Sequence, residues 1–504
     1  MKIYAEMEVV PGPPNLQAPS IIQGGMGIAV SNWRLARSVS QHGEIGIVSG
    51  TCIDTVMVRE LQDGDPVGRL RALATYPDQD IVRYITDQFY VEGGIPANQS
   101  YKLLPIHRFR PKVRSQRILS AAAFSEVMLA KEGHDGYVGI NLLCELKRHA
   151  LACLYGAMLA RVDGIFMGAG IPKEEAEQIA RLAAGEPAQL RLDVDTSQCA
   201  EPEKAYFYTL DPKDILPDPP VLQRPEFYPI IASDLLARIL DKKLPEGLIT
   251  GWVIEGPVAG GHNAPPRGKK RDENGHPIYD EKDIVNLDRV AALGYPYYLA
   301  GGFGTPQKRC EALDRGAAGI QVGSLFSLTD ESGYPMDFKR DLIAKIHRNE
   351  VVVRTDGNVS PTGYPFKVLE AEGTLGLPEN QKERVRICDL GYLQHAYLDK
   401  KGRVQGRCPS EPVDTYIQKG GKCENTAGRG CLCNGLFANI GLGQRRDYGD
   451  ERPLFTGGDA LVDLPLASED NPSYSAADVI HYLRDAAPSG DGRAGLKPTL
   501  KARL

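Results

Sequence analysis

No stretch of the sequence is apolar for long enough to cross a bilayer: runs such as Gly251 to Ile254 end far short of the roughly 18 residues a span requires. No secretory leader is legible, because Glu6 and Glu8 interrupt the N-terminus before an apolar core can form. Positive charge is not in excess, and a net charge of -6 leaves no electrostatic footprint for nucleic acid or an anionic membrane. There is no internal repeat of fixed period and no low-complexity block. These absences set the expectation of a soluble, cytoplasmic globular protein that binds neither nucleic acid nor membrane. Hydrophobic residues at 42% and charged residues at 25% exclude bulk disorder. At 504 residues the chain can bury a full core and carry an accessory module as well.

Without a secretory leader, a disulfide framework for the ten cysteines is not expected. Their placement is uneven, since Cys388, Cys408, Cys423, Cys431 and Cys433 gather in a short C-terminal stretch. They are either packed free thiols or metal ligands. Cys408, Cys423, Cys431 and Cys433 are the candidate thiolates for zinc or an iron-sulfur cluster, although no paired C-x-x-C is present.

From Ile21 to about Ile346 short apolar segments alternate with glycine-rich turns and helical patterns, the arrangement of a parallel β/α fold. Nine candidate strands can be counted, at 20–22, 45–48, 137–141, 164–167, 189–192, 229–232, 251–254, 297–300 and 319–322. Eight would close a (β/α)8 barrel, leaving one for an added hairpin or loop. A doubly wound α/β sheet is the competing fold. Residues 53–133 form a long helical insertion that predicts a lid or added subdomain. The domain boundaries expected are a barrel over 1–350, a Cys-rich cap over 351–454, elements returning to the barrel over 455–486, and a tail over 487–504. Within the third of these, Ala476, Val479, Ile480 and Leu483 share one face of a helix that Ser475 would cap.

The glycine turns carry the chemistry. Gly301-Gly302 and Gly323-Ser324 each end a strand, and the interval between them is one β/α unit, so their backbone N–H groups would meet on one phosphate. In such barrels this anion commonly lies at the last two strand ends. Gln23-Gly24-Gly25-Met26-Gly27 ends the first strand and would let the backbone approach a flat ring. Asn141 and Ser233 are polar groups at other strand ends. His262 follows Gly260-Gly261 on what reads as a pliable loop over the mouth, where an imidazole near its ordinary pKa of about 6.5 can act as acid, base or hydrogen-bond donor.

Taken together, Pro19 to Met26, Gly139-Ile140-Asn141, Ile254-Glu255-Gly256 with Ala259 to His262, Ala300 to Phe303, and Gly316-Ala317 through Gln321 to Phe326 resemble the successive motifs of the nitronate monooxygenase family. That family of FMN-binding barrels includes flavin-dependent enoyl reductases. The resemblance spans roughly 15–346, with a fainter match at Phe455 to Leu461. It implies that Gly25 and Met26 lie by the flavin ring and that Asn141 and Ser233 bond its polar groups. It further implies that Gly301, Gly302, Gly323 and Ser324 hold the phosphate, with Gly261 in the cofactor-binding set and His262 catalytic. The activity implied is oxidation of a small nitronate or related carbanion with O2. The alternative is reduction of an enoyl thioester with NAD(P)H as co-substrate, and a non-catalytic flavin- or metal-binding scaffold is a third reading. The partners expected are a small-molecule or acyl-thioester substrate and, as a homodimer, a second copy of the chain. Asn263 and the polar insertion from Pro265 to Asp283 depart from the family pattern beside the histidine. An inosine monophosphate dehydrogenase-like reading would need a nucleophilic cysteine just after the phosphate turns, and Gly323-Ser324-Leu325-Phe326 offers none.

Overall fold

Eight short strands, buried almost throughout because both faces of a closed parallel sheet are covered, form the centre of the molecule. They are β1 (Ile21–Gln23), β2 (Ile45–Ser49), β3 (Val138–Leu143), β4 (Gly164–Gly168), β5 (Glu226–Ile231), β6 (Trp252–Glu255), β7 (Tyr297–Ala300) and β8 (Gly319–Val322). All neighbours are parallel, and the sheet closes where β1 meets β8 with Ile21 opposite Ile320. This is the (β/α)8 TIM barrel the strand grammar predicts. The computed structural model describes residues 19–199 and 205–485; the N-terminal residues read above for a leader and the tail expected at 487–504 lie outside them. Among the described residues, no helix is long and apolar enough to cross a membrane.

The barrel interior is filled rather than hollow. Ile22, Ile47, Phe166, Tyr228, Val253 and Tyr298 form one buried cluster, in which the Phe166 and Tyr228 rings stack 4.8 Å apart. The ninth candidate strand lies outside the barrel. Ala188–Leu192 pairs antiparallel with Tyr206–Leu210 as an added hairpin whose burial alternates, as a sheet solvated on one face requires.

The helical insertion differs from its expected form. It contains α2 (Ile53–Gln62), α3 (Arg69–Leu73), α4 (Gln79–Phe89) and the long α5 (Val113–Lys131), following α1 (Trp33–Gln41). Pro77 and the Asp78 cap, which accepts from the Ile81 N–H, separate α3 from α4. No residue of 53–133 lines the barrel mouth, so the segment is not a lid. The physical reason is α5: it fills the outer-ring place between β2 and β3, packed on α1 and on α6 (Lys147–Leu159), while α2 to α4 lean on it.

Beyond the last barrel unit, Val352–Asp356 and Phe366–Glu370 form an antiparallel hairpin, and His395–Leu398 joins Val404–Arg407 and Val194–Asp195 in a small sheet. Val359, Phe366, Val368, Leu375, Leu432 and Leu454 make a buried cluster of their own within this segment. The chain then returns to the barrel. Ala476–Arg484 is the expected helix, with a Ser475–Asp478 capping box and Ala476, Val479, Ile480 and Leu483 buried on one face.

Candidate functional site

At the carboxyl ends of the strands the barrel and the cap enclose a cavity of about 600 Å³. Gly25, Met26, Asn141, Ser233, Gly261, His262, Gly301, Gly302, Gly323 and Ser324 all line it, so residues scattered over 300 positions meet at one mouth. Each element places its group for a local reason. After β1, the Gln23 side chain accepts from Ile47 N–H at 3.0 Å and donates to the Ser31 hydroxyl at 2.8 Å, and that hydroxyl accepts from Met26 N–H at 2.9 Å. The turn is thereby locked to β2. A Cβ on Gly25 would lie 2.2 Å from the Asn141 Cβ, so only glycine lets these two strand ends approach.

Gly301 and Gly302 have φ of 80° and 81°, the left-handed region that costs glycine little and other residues more. Among the described residues, the backbone N–H groups of Gly302, Phe303, Gly323 and Ser324 have no acceptor within the protein. Donors left open at adjacent strand ends, beside backbone that a side chain would obstruct, make a cradle suited to a phosphate. Two buried acceptors on the same wall, Gln321 Oε1 and Asn263 Oδ1, also lack a partner in the protein. The residues therefore fit a flat, polar-edged cofactor with an anionic tail.

His262 is placed differently from the pliable loop expected. Gly261 and Asn263 exchange backbone hydrogen bonds with the cap hairpin: Lys367 N–H donates to Gly261 O at 2.8 Å and Asn263 N–H to Pro365 O at 2.9 Å. The imidazole packs edge-on against Phe366 with ring centres 4.9 Å apart, and its Nε2 shares a 2.8 Å hydrogen bond with the Ser360 hydroxyl, itself 2.7 Å from that of Thr362. Burial lowers its pKa to about 4, so the ring is neutral at pH 7 instead of poised near 6.5. Charge is thereby removed from its repertoire at neutral pH. Hydrogen bonding remains.

Glu255, at the end of β6, is a wall residue that the sequence reading quotes only as part of a motif. Burial raises its carboxyl to about 8, leaving it protonated at pH 7. Tyr392 was also missed, and no local spacing could have revealed it. It reaches the mouth from the cap while its hydroxyl donates to Asp54 at 2.7 Å across 338 positions of chain. Asp54 in turn is 2.6 Å from His107 Nε2, and the His149 ring packs edge-on to His107 and tilted to Tyr392, with centres 4.3 Å and 4.6 Å away. Burial opposes the Asp54 charge, but His107 and the Tyr392 hydroxyl hold its carboxyl well below the usual range.

The cysteine quartet expected from sequence does not assemble. Cys423 is exposed on the turn Cys423–Thr426, whereas Cys408, Cys431 and Cys433 surround a small cavity whose fourth thiol is Cys388. Among the described residues, the metal-ligating side chains whose ligand atoms all lie within 4.8 Å of one another are Asp54, His107 and His149, of which Asp54 and His107 are hydrogen-bonded while both His149 ring nitrogens lack a partner.

No family model matches the chain. Over 87 residues it is 38% identical to the (3aS,4S,5R,7aS)-5-hydroxy-7a-methyl-1-oxo-octahydro-1H-indene-4-carboxyl-CoA dehydrogenase of Mycobacterium tuberculosis, a match covering 17% of this chain and 23% of that protein. The chain thus spans about a quarter of the length of this curated relative. Among solved structures, FabK from Thermotoga maritima aligns over 92% of this chain and 91% of its own, with a TM-score of 0.47 and 14% identity. A nitroalkane oxidase from Streptomyces ansochromogenes aligns over 92% and 94%, with a TM-score of 0.44 and 13% identity.

Proposed function

We propose that the chain is an FMN-dependent oxidoreductase of the nitronate monooxygenase type, oxidising a small nitronate or related carbanion with O2. The observation that carries this reading is the convergence of the ten motif residues on one cavity whose phosphate-sized cradle has its backbone donors open. Gly301, Gly302, Gly323 and Ser324 would hold the phosphate; Gly25 and Met26 would lie against the ring, with Asn141 and Ser233 at its polar edge. Bound FMN would supply the electron acceptor, one that also reacts with O2.

The chain's own residues then have defined tasks. With Nε2 engaged by Ser360, the neutral His262 ring, which lines the cavity, would meet an anionic substrate through Nδ1 as a hydrogen-bond partner rather than as a cation. Phe366 and the cap hairpin fix its tilt. The returning segment Thr456-Gly457-Gly458 lines the cavity on the side where the phosphate would lie, and there Gly458 N–H donates to the Ser324 hydroxyl at 3.0 Å.

One observation favours a second reading, reduction of an enoyl thioester by NAD(P)H. Glu255 is a carboxylic acid kept neutral at pH 7 in the wall of the same cavity, and such a reduction needs a proton donor at carbon. Anaerobic mixing separates the two: loss of flavin absorbance on adding a nitronate supports the first. Loss on adding NADH or NADPH, recovered with an enoyl thioester, supports the second. A yellow protein that responds to none of these is a scaffold, and a colourless one that FMN cannot reconstitute overturns the cofactor itself.

A further inference from the structure

The cap holds a cluster of thiols around a second cavity, next to the one at the barrel mouth. Cys388, Cys408, Cys431 and Cys433 face one small cavity, brought together from three stretches of chain. Cys408 and Cys431 are buried and the other two partly so. Four free thiols converging on one void exceed what packing alone asks of a cap, where a void lined by apolar groups would serve as well.

The charge around them is unbalanced. Arg148, only 4% exposed, donates to the carbonyls of His107, Gly391 and Tyr392, and Arg386 to those of Pro409, Thr426 and Arg429. Neither has a carboxylate partner among the described residues, and both lie close enough to the thiols to feel their charge. Arg386 is only partly buried, but burying a guanidinium such as that of Arg148 without a counter-charge costs several kcal/mol, so its place beside neutral thiols would be a poor arrangement. Four thiolates on a metal centre supply the missing negative charge. The helix Leu432–Asn439 adds to this: Cys431 is its cap residue and Cys433 lies in its first turn, where open N–H groups favour an anion. Side-chain amides already point at sulfur, with Asn434 Nδ2 3.6 Å from Cys431 Sγ and Gln394 Nε2 4.0 Å from Cys388 Sγ.

Spacing selects the metal. A single tetrahedral zinc, with Zn–S of about 2.3 Å, draws its sulfurs to within roughly 4 Å of one another. Among the described residues no three cysteine sulfurs lie within 4.8 Å of one another. A polynuclear centre spans the wider gap. We infer that Cys388, Cys408, Cys431 and Cys433 ligate an iron-sulfur cluster of the four-cysteine type in the cap. Ligation releases the four thiol protons. A [4Fe–4S] core in its 2+ state with four thiolates carries two net negative charges and would supply the counter-charge that buried Arg148 lacks, since the nearby buried Glu411 is already paired with Lys419. Leu393, Leu432 and Cys433 line both this cavity and the mouth cavity, so the cluster would stand one side-chain layer from the barrel site.

The test is metal and acid-labile sulfide analysis of the full-length protein, purified without oxygen after expression with iron and cysteine supplied. The expected result is about four irons and four sulfides per chain, as for the [4Fe–4S] type, with an electron paramagnetic resonance signal after dithionite. Cys388→Ser and Cys433→Ser, made separately, should lose iron and sulfide together, whereas Cys423→Ser should retain both. One zinc per chain, or a chain without iron whose four cap thiols all react with a thiol reagent, overturns the assignment. So does iron retained in Cys388→Ser and lost in Cys423→Ser. If both cap variants fail to fold, the wild-type analysis decides alone. FMN content plays no part in this readout, so failure of the barrel assignment would leave it standing.

Discussion

The barrel and the cap furnish the mouth with different kinds of group. From the barrel come mostly backbone donors and glycines, held by strand ends that the closed sheet makes rigid. From the cap come side chains and a hairpin that fix His262 through Ser360, Phe366 and Pro365. A backbone cradle can recognise a phosphate whatever surrounds it, whereas the orientation of an imidazole is only as good as its neighbours. The barrel should therefore decide whether the cofactor binds, and the cap how well the bound protein works.

Replacing His262 by Ala strains this division most. We expect the yellow colour to survive while substrate-dependent flavin reduction slows by roughly 10²-fold, the usual worth of one hydrogen-bond donor to an anion, as read by stopped-flow absorbance. Loss of the flavin instead would assign His262 to the cradle. Gly25→Ala should do the reverse. Its Cβ would press on Asn141 from 2.2 Å, and overpacking of about 1–3 kcal/mol converts to roughly 5- to 150-fold weaker FMN binding, measurable by fluorescence titration. Ser360→Ala tests the cap alone: removing one hydrogen bond worth about 0.5–1.5 kcal/mol should lower the reduction rate up to roughly tenfold with FMN affinity unchanged. Thr at this position should restore most of the loss.

The smallest effect concerns pH. Glu255 titrates at about 8 in the folded chain and near 4.3 unfolded, so between those values the native state holds the extra proton and stability falls as pH rises. Glu255→Gln should flatten that decline, seen as a smaller drop in Tm of the cofactor-free protein between pH 6 and 8.5. His262 has the opposite sign. Its folded pKa of about 4 lies below the unfolded value of about 6.5, so its contribution is lost as pH falls through that window.

The barrel half of this comparison was legible in the sequence because its information is local. Gly301-Gly302 and Gly323-Ser324 announce strand ends, and the count of nine candidates left one surplus to eight, which the structure shows to be Gln189 to Leu192. Helix α5 was misread as part of an added subdomain because the length of a connection hides which of its helices takes the ring position. The cap half was mostly illegible. Ser360, Tyr392 and Cys388 act through partners 98, 338 and tens of positions away, and no residue pattern around them differs from an ordinary loop. The shift in His262 was hidden for the same reason: its burial comes from Phe366 and the cap, not from its own glycine loop.

The first strand also depends on the far end of the chain. Glu44 accepts from the N–H groups of Ser20 and Ile21, both at 2.8 Å, and Arg484 pairs with that same carboxylate at 2.8 Å from 440 positions downstream. Ribosomes add about 5–20 residues per second, so the nascent carboxylate waits on the order of 20–90 s for its counter-ion. The sheet cannot close until β8 emerges, and the seam beside β1 is not fully neutralised until Arg484 does. A message truncated just before Arg484 would yield a chain that has every barrel strand and still lacks the latch on its first one.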